Sequence, residues 1–196
     1  MTVTNSPETK VKAAGLVMPT QIYNGRSRAT AIETLIDVRD RYNSRPEEFW
    51  TPERMVLGHP LPNWQRPHEW TETQSIRFIE SAWLGLHIGT YVVNGRDWDE
   101  NGVDIEFSGA LLDGQQRLTA IELYLDDAFP VFGWYWSQLT RREQRRFERI
   151  SFTSEEVNIW DEAELRELSD RLAFGGTAHK EEYRATEGYT YELQPA

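Results

Sequence analysis

The chain has 196 residues, enough to bury one substantial core, and its 39% hydrophobic and 27% charged residues, with eight each of Trp, Tyr and Phe, exclude a disordered chain. It contains no cysteine, which excludes disulfides, thiolate nucleophiles and cysteine-held metal clusters. The net charge of −11 is unevenly spread, with 11 basic and 13 acidic side chains in residues 1–100 but 10 and 19 in residues 101–196, so nucleic-acid contact would need a local basic patch or a partner subunit.

Residues 1–25 are polar, carry Pro7, Gly15, Pro19 and Gly25 and hold no period, which predicts an irregular arm. Met1 to Glu8 lacks a basic segment followed by an apolar one, and no run of about eighteen apolar residues occurs anywhere; both point to a cytoplasmic location and no membrane partner. From Ala29 to about Tyr42, Ile32, Leu35 and Ile36 follow helical spacing until Asn43 to Pro46 ends it. Pro60, Pro62 and Pro67 predict a loop, after which Thr71 and Gln74 form a capping box for a helix whose apolar face is Ile76, Ile79, Trp83 and Leu84, closed by Gly85. Thr90–Val93 and Gly109–Leu112 read as two buried strands paired in one sheet, with a turn at Asn101-Gly102 between them. Leu118, Ile121 and Leu125 then set a helical period from Gln115. Phe129–Phe132 reads as a further strand, and Trp134 and Trp136 alternate as on a strand. Thr140 with Glu143 and Asp161 with Glu164 mark two more helix starts, and the acidic run from Glu155 to Asp170 reads as a solvated helix face. The basic run Arg141, Arg142, Arg145, Arg146 and Arg149 also reads as a solvated helix.

Asp113-Gly114 therefore stands between a strand end and a helix start. A helix N-terminus offers unpaired N–H groups and a partial positive charge, which suit an anion. Gly114 permits close backbone approach, Arg117 supplies a planar cationic fork, and Gln115 and Gln116 add neutral donors and acceptors. Asp113 repels a bare phosphate, so it fits such a site as a Mg²⁺ ligand or as a general base. The structural alternative is that Asp113 caps the helix and Arg117 pairs with a nearby carboxylate.

The segment Leu111-Leu112-Asp113-Gly114-Gln115-Gln116-Arg117-Leu118-Thr119-Ala120 resembles the DGQQR signature of the N-terminal domain of GmrSD-type restriction endonucleases, itself similar to the ParB and sulfiredoxin superfamily. Pro62 to Trp70, with Gln65 and Arg66, is similar to the family's upstream Gln-Arg motif and its downstream Trp. Arg171 to Thr177, with Gly175 and Gly176, resembles its arginine and double-glycine segment. The resemblance runs from about Pro60 to Tyr183. It implies an α+β fold with a small mixed sheet, surrounding helices and a helical C-terminal part, arranged as an arm (1–25), a single domain (26–185) and a tail (186–196). For function it implies nucleoside-triphosphate binding and hydrolysis or transfer of phosphate in phage or bacterial DNA restriction or modification. Asp113, Gln116, Arg117 and His68 are the catalytic candidates. Gln65, Arg66, Gly114, Gln115, Arg171, Gly175 and Gly176 are the nucleotide-binding ones, and Asp113 is the candidate Mg²⁺ ligand. The expected partners are a nucleoside triphosphate, DNA or modified DNA, and a separate nuclease or modification enzyme.

Two further readings stand beside this one: a non-catalytic module that senses a nucleotide or modified DNA and recruits another enzyme, and a kinase or transferase acting on a nucleotide or modified base. Ala173 stands where relatives commonly have Asn, a loss of polarity that favours the sensor. His59, His68, His87 and His179 show no metal-ligand spacing, and only His68, beside Arg66, is placed to carry a proton. Trp64 and Trp70 are candidates to stack on a base, with core packing preferred for Trp70.

Overall fold

The computed structural model describes residue 21 and residues 23–174. The expected arm falls largely outside these residues, as do the tail, Gly175, Gly176 and His179.

The order of elements is β1 (Arg26–Arg28), α1 (Ile32–Ser44), β2 (Arg54–Val56), β3 (His59–Leu61), α2 (Glu72–Trp83), β4 (Thr90–Asn94), β5 (Leu111–Asp113), α3 (Gln115–Leu125), α4 (Arg141–Glu148), β6 (Thr153–Val157) and α5 (Glu162–Phe174). Four strands form one mixed sheet in the order β1-β6-β4-β5. β4 and β6 run parallel, and the outer pairs are antiparallel. The expected pairing of the two central segments is present as β4 with β5, in register Val92 to Asp113 and Val93 to Leu111. The class is α+β with a small mixed sheet flanked by helices, as expected.

Strand alternation sends side chains to two faces. Tyr91, Val93 and Leu111 join the larger core with Ile32 and Leu35 of α1, Ile79 of α2, Leu118, Ile121 and Tyr124 of α3, Phe147 of α4, and Phe152. Val92 and Leu112 face the other way, into a second cluster with Leu165 and Leu168 of α5. The sheet thus lies between α5 on one face and the remaining helices on the other.

Both local capping boxes form. Gln74 N donates to Thr71 Oγ1 while Thr71 N donates to Gln74 Oε1, and Thr140 and Glu143 repeat the exchange. Glu164 N donates to Asp161 Oδ1 at the start of α5.

Several sequence expectations are corrected. The first helix begins at Ile32 rather than Ala29, because Ala31 is still extended. Pro60 lies on β3, in a hairpin with β2 that turns through Leu57 and Gly58, both at positive φ. Glu155 and Glu156 are not on a helix face; they lie on β6, between β1 and β4, where only Ser154 and Val157 are buried. Phe129–Phe132 is not a strand, since Val131 bridges Trp134 across a tight turn at Phe132 and Gly133. Trp136 does not continue a strand either; it opens a 3-10 turn at Trp136–Gln138 and packs on Tyr124 and Phe147.

Candidate functional site

A cleft of about 290 Å³ lies at the junction of β5, α3 and α5. Three segments far apart in sequence wall it: Trp64, Gln65, Arg66 and Trp70; Leu112 to Arg117; and Ser169, Asp170, Leu172 and Ala173.

The turn that opens α3 is set by Gly114 at φ +96°. A side chain there would be strained, and its Cβ would meet Tyr91 Cβ at 2.7 Å. Close approach at Gly114 is therefore to the neighbouring strand β4. Gly114 is the N-cap residue and no side chain caps the helix, so Asp113 does not have the capping role of the structural alternative. The first intrahelical bond runs from Leu118 N to Gly114 O, and the first turn of α3 opens onto the cleft.

The other half of that alternative holds. Arg117 Nη2 lies 2.8 Å from Asp113 Oδ2, with about a quarter of the arginine side chain and two fifths of the aspartate exposed. The guanidinium rests against Gly89, where a Cβ would meet Nη1 at 2.7 Å. An ion pair this exposed contributes on the order of 0–1 kcal/mol. A phosphate entering the cleft would displace the carboxylate at little cost.

The two adjacent glutamines do different things. Gln116 Oε1 accepts from Glu69 N at 2.9 Å and Trp70 N at 3.0 Å, and its Nε2 donates to Pro67 O at 3.3 Å. It clamps the 67–70 loop to α3 and so positions the cleft wall. Gln115 is 7% exposed, and among the described residues its Oε1 has no hydrogen-bond partner. Two other cleft residues also carry buried atoms without partners, Trp64 at Nε1 and Arg117 at Nε. Such atoms are not confined to the cleft, since His59, Ser75, Arg96 and Asp104 carry them elsewhere among the described residues.

Gln65 closes the opposite wall. Its Nε2 donates to Leu112 O at 2.9 Å and Ser169 Oγ at 3.0 Å, joining the loop to β5 and α5. Arg54, which the sequence did not single out, fixes the same loop by donating to the carbonyls of Pro62, Gln65 and Arg66. Arg66 lines the cleft with more than half its side chain exposed, and it pairs with Glu69 at 3.1 Å. Trp64 packs on Phe107 beneath the Arg166 guanidinium, whereas Trp70 both packs on Phe78 and lines the cleft.

The fold therefore brings Gln65, Arg66, Asp113, Gly114, Gln115, Gln116, Arg117 and Ala173 to one place. His68 sits on the clamped loop but not among the residues lining the cleft, and Arg171 faces Glu167 at 2.9 Å, exposed and away from it. Ser169 and Asp170 were missed. The spacing of Leu165, Leu168 and Leu172 marks the inner stripe of α5, and these two residues follow from it once β5 is known to be its neighbour.

The sequence profile described as "GmrSD restriction endonuclease, N-terminal domain" matches residues 55–192, well over half of the chain. The chain belongs to this family. The match spans β2 through α5 and so contains every residue that walls the cleft. Membership of the GmrSD N-terminal domain family places the chain in phage or bacterial DNA restriction. No curated protein and no solved structure matches it. Among the described residues no helix is long and apolar enough to cross a membrane.

Proposed function

We propose that this cleft binds a nucleoside triphosphate and hydrolyses or transfers its terminal phosphate, as a nucleotide-dependent component of DNA restriction. The observation that carries the reading is the uncapped first turn of α3, which opens onto the cleft beside Arg117. The N–H groups of that turn and the Arg117 fork suit phosphate oxygens. The Gln115 Oε1 is an acceptor and cannot serve a phosphate. It is closed to water in this conformation and would reach a donor, such as a nucleophilic water or hydroxyl, only once the side chain turns toward the cleft; so turned, it would orient the attacking group as phosphoryl transfer requires.

Phosphate drawing Arg117 away frees Asp113 to accept a proton or to hold a cation. Among the described residues no three His, Asp or Glu side chains cluster, and Mg²⁺ held largely by phosphate oxygens needs only one or two carboxylates. Asp113 and Asp170, both lining the cleft, are the residues that would hold it. The ion would supply charge neutralisation on the phosphate chain. Gln65, Gln116 and Arg54 keep the walls in place and touch no reacting atom.

A sensing module that binds nucleotide without turning it over is the second reading. Ala173 favours it, because it lines the cleft with a methyl group where the motif resemblance implies an amide. A kinase or related transferase is the same site with a hydroxyl in place of water.

The purified chain incubated with each triphosphate and Mg²⁺, with and without duplex DNA, separates these readings. Asp113→Ala should keep binding and lose turnover, Arg117→Ala should lose binding, and Gln115→Leu should slow turnover more than it weakens binding. Turnover equal in wild type and Asp113→Ala would sink the enzyme; binding without turnover, abolished in Arg117→Ala, would establish the sensor.

A further inference from the structure

α4 is an anomaly on an acidic chain: it and its C-cap carry five arginines. Arg141 is taken up by Glu148 at 2.6 Å. At about 100° per residue the other four, Arg142, Arg145, Arg146 and Arg149, fall within an arc of about 100°. They form one exposed stripe rather than a scatter around the helix.

Most arginines among the described residues face a carboxylate, as Arg28, Arg41 and Arg45 do. Arg142, Arg145 and Arg149 have no partner among the described residues, and Arg146 lies over the Trp83 ring. Like charges three and four residues apart destabilise a helix unless something anionic neutralises them. The helix dipole accounts for cations in the last turn, but Arg142 sits in the first turn, where the dipole opposes it. Gln144, whose Nε2 donates to Trp136 O, lies on the other side of α4 with the inward-facing Phe147, so the stripe is left free of the neighbouring 3-10 turn. A row of exposed, unpaired arginines fits the phosphate oxygens of a nucleic-acid backbone.

We infer that the arginine stripe of α4 is a docking surface for the phosphate backbone of duplex DNA. The remaining charge of the chain does not forbid this, since screening limits distant carboxylates to a range of about 8–10 Å. Phe147, on the inner side of α4, packs on Tyr124 near the C-terminal end of α3, whereas the cleft lies at that helix's N-terminus. Nine residues, about 14 Å of helix, separate Gln115 from Tyr124. The stripe and the cleft are distinct sites, and the inference does not rest on the reading of the cleft.

Fluorescence anisotropy with a labelled duplex of about 20 base pairs, titrated across salt concentrations, tests it. Four phosphate contacts predict a slope of log K against log salt near −3.6, and Arg142→Gln, Arg145→Gln, Arg149→Gln together should reduce it to about −0.9 and weaken binding at least about tenfold at low salt. Arg28→Gln, Arg41→Gln, Arg45→Gln makes the same change in net charge on paired arginines and should leave affinity within about twofold. Equal weakening by the two triple variants would overturn the inference, as would a single strand or polyglutamate binding while the duplex does not. If the stripe variant fails to fold, amide exchange on the wild-type chain decides: duplex must protect α4, and its absence there overturns the inference. Nucleotide affinity of the folded stripe variant should be unchanged.

Discussion

Replacing Gln116 with alanine removes one acceptor shared by Glu69 N and Trp70 N and one donor to Pro67 O. Each such bond contributes on the order of 0.5–1.5 kcal/mol net, the 3.3 Å contact least, so the loss is about 2 kcal/mol. Because the three bonds hold one loop, most of that loss is local: the amides of Glu69 and Trp70 should exchange about 30-fold faster, while the urea midpoint falls modestly. Gln116→Glu keeps the acceptor but buries a carboxylate against the Pro67 carbonyl, so it should destabilise the loop at least as much as alanine does. Any effect on nucleotide turnover should track the loosened loop, with raised KM in both variants. Unchanged exchange at Glu69 and Trp70 in Gln116→Ala would refute the clamp, and so would lost turnover at unaltered affinity.

Four other outcomes follow from geometry. His59 is buried, its Nδ1 3.2 Å from Gly109 O, and burial lowers its pKa from 6.5 to about 4. The unfolded chain therefore takes up a proton as pH falls through 6.5 while the folded chain stays neutral, so on the order of 3 kcal/mol of stability is lost between pH 6.5 and 4. Comparing urea midpoints of wild type and His59→Asn across that window isolates this contribution, which should vanish in the variant. Gly114→Ala adds a strained φ and a contact with Tyr91 Cβ, together about 2–4 kcal/mol, seen as a Tm lowered by roughly 6–12 °C. Gly102→Ala, also at positive φ but with nothing within 4 Å, should cost about 1 kcal/mol. Asp104→Ala leaves Arg96, four fifths buried and 2.6 Å from the lost carboxylate, without its counter-charge; denaturant titration should show a loss of about 3–5 kcal/mol.

What the sequence made legible was local. The capping boxes at Thr71 and Thr140 depend only on residues three apart, and the turn at Gly114 on a change of period at its own position. β6 was hidden because Thr153 to Val157 carries two glutamates and no apolar alternation, and its place in the sheet is decided by β1 and β4, far away in the chain. The hairpin of β2 and β3 was hidden by Pro60, which reads as a loop residue wherever its neighbours are unknown. The cleft shows the same division. Arg117 and Asp113 were visible as a pair at helical spacing, but nothing in Gln115-Gln116 tells which amide clamps a loop and which faces the cleft; that depends on where Trp70 lies.

The match to the family begins at residue 55, yet β1 hydrogen-bonds along β6, and Ile32 and Leu35 are fully buried. A fragment trimmed to the matched residues would strip the cover from one side of the sheet and leave β6 as an open edge, with unpaired N–H and C=O groups beside an uncovered apolar hollow. Such edges recruit other chains, so the trimmed fragment should self-associate more strongly than the longer chain. The boundary at which this domain can be cut safely is therefore set by hydrogen bonding across the sheet, ahead of residue 26, and not by where the likeness to its relatives starts.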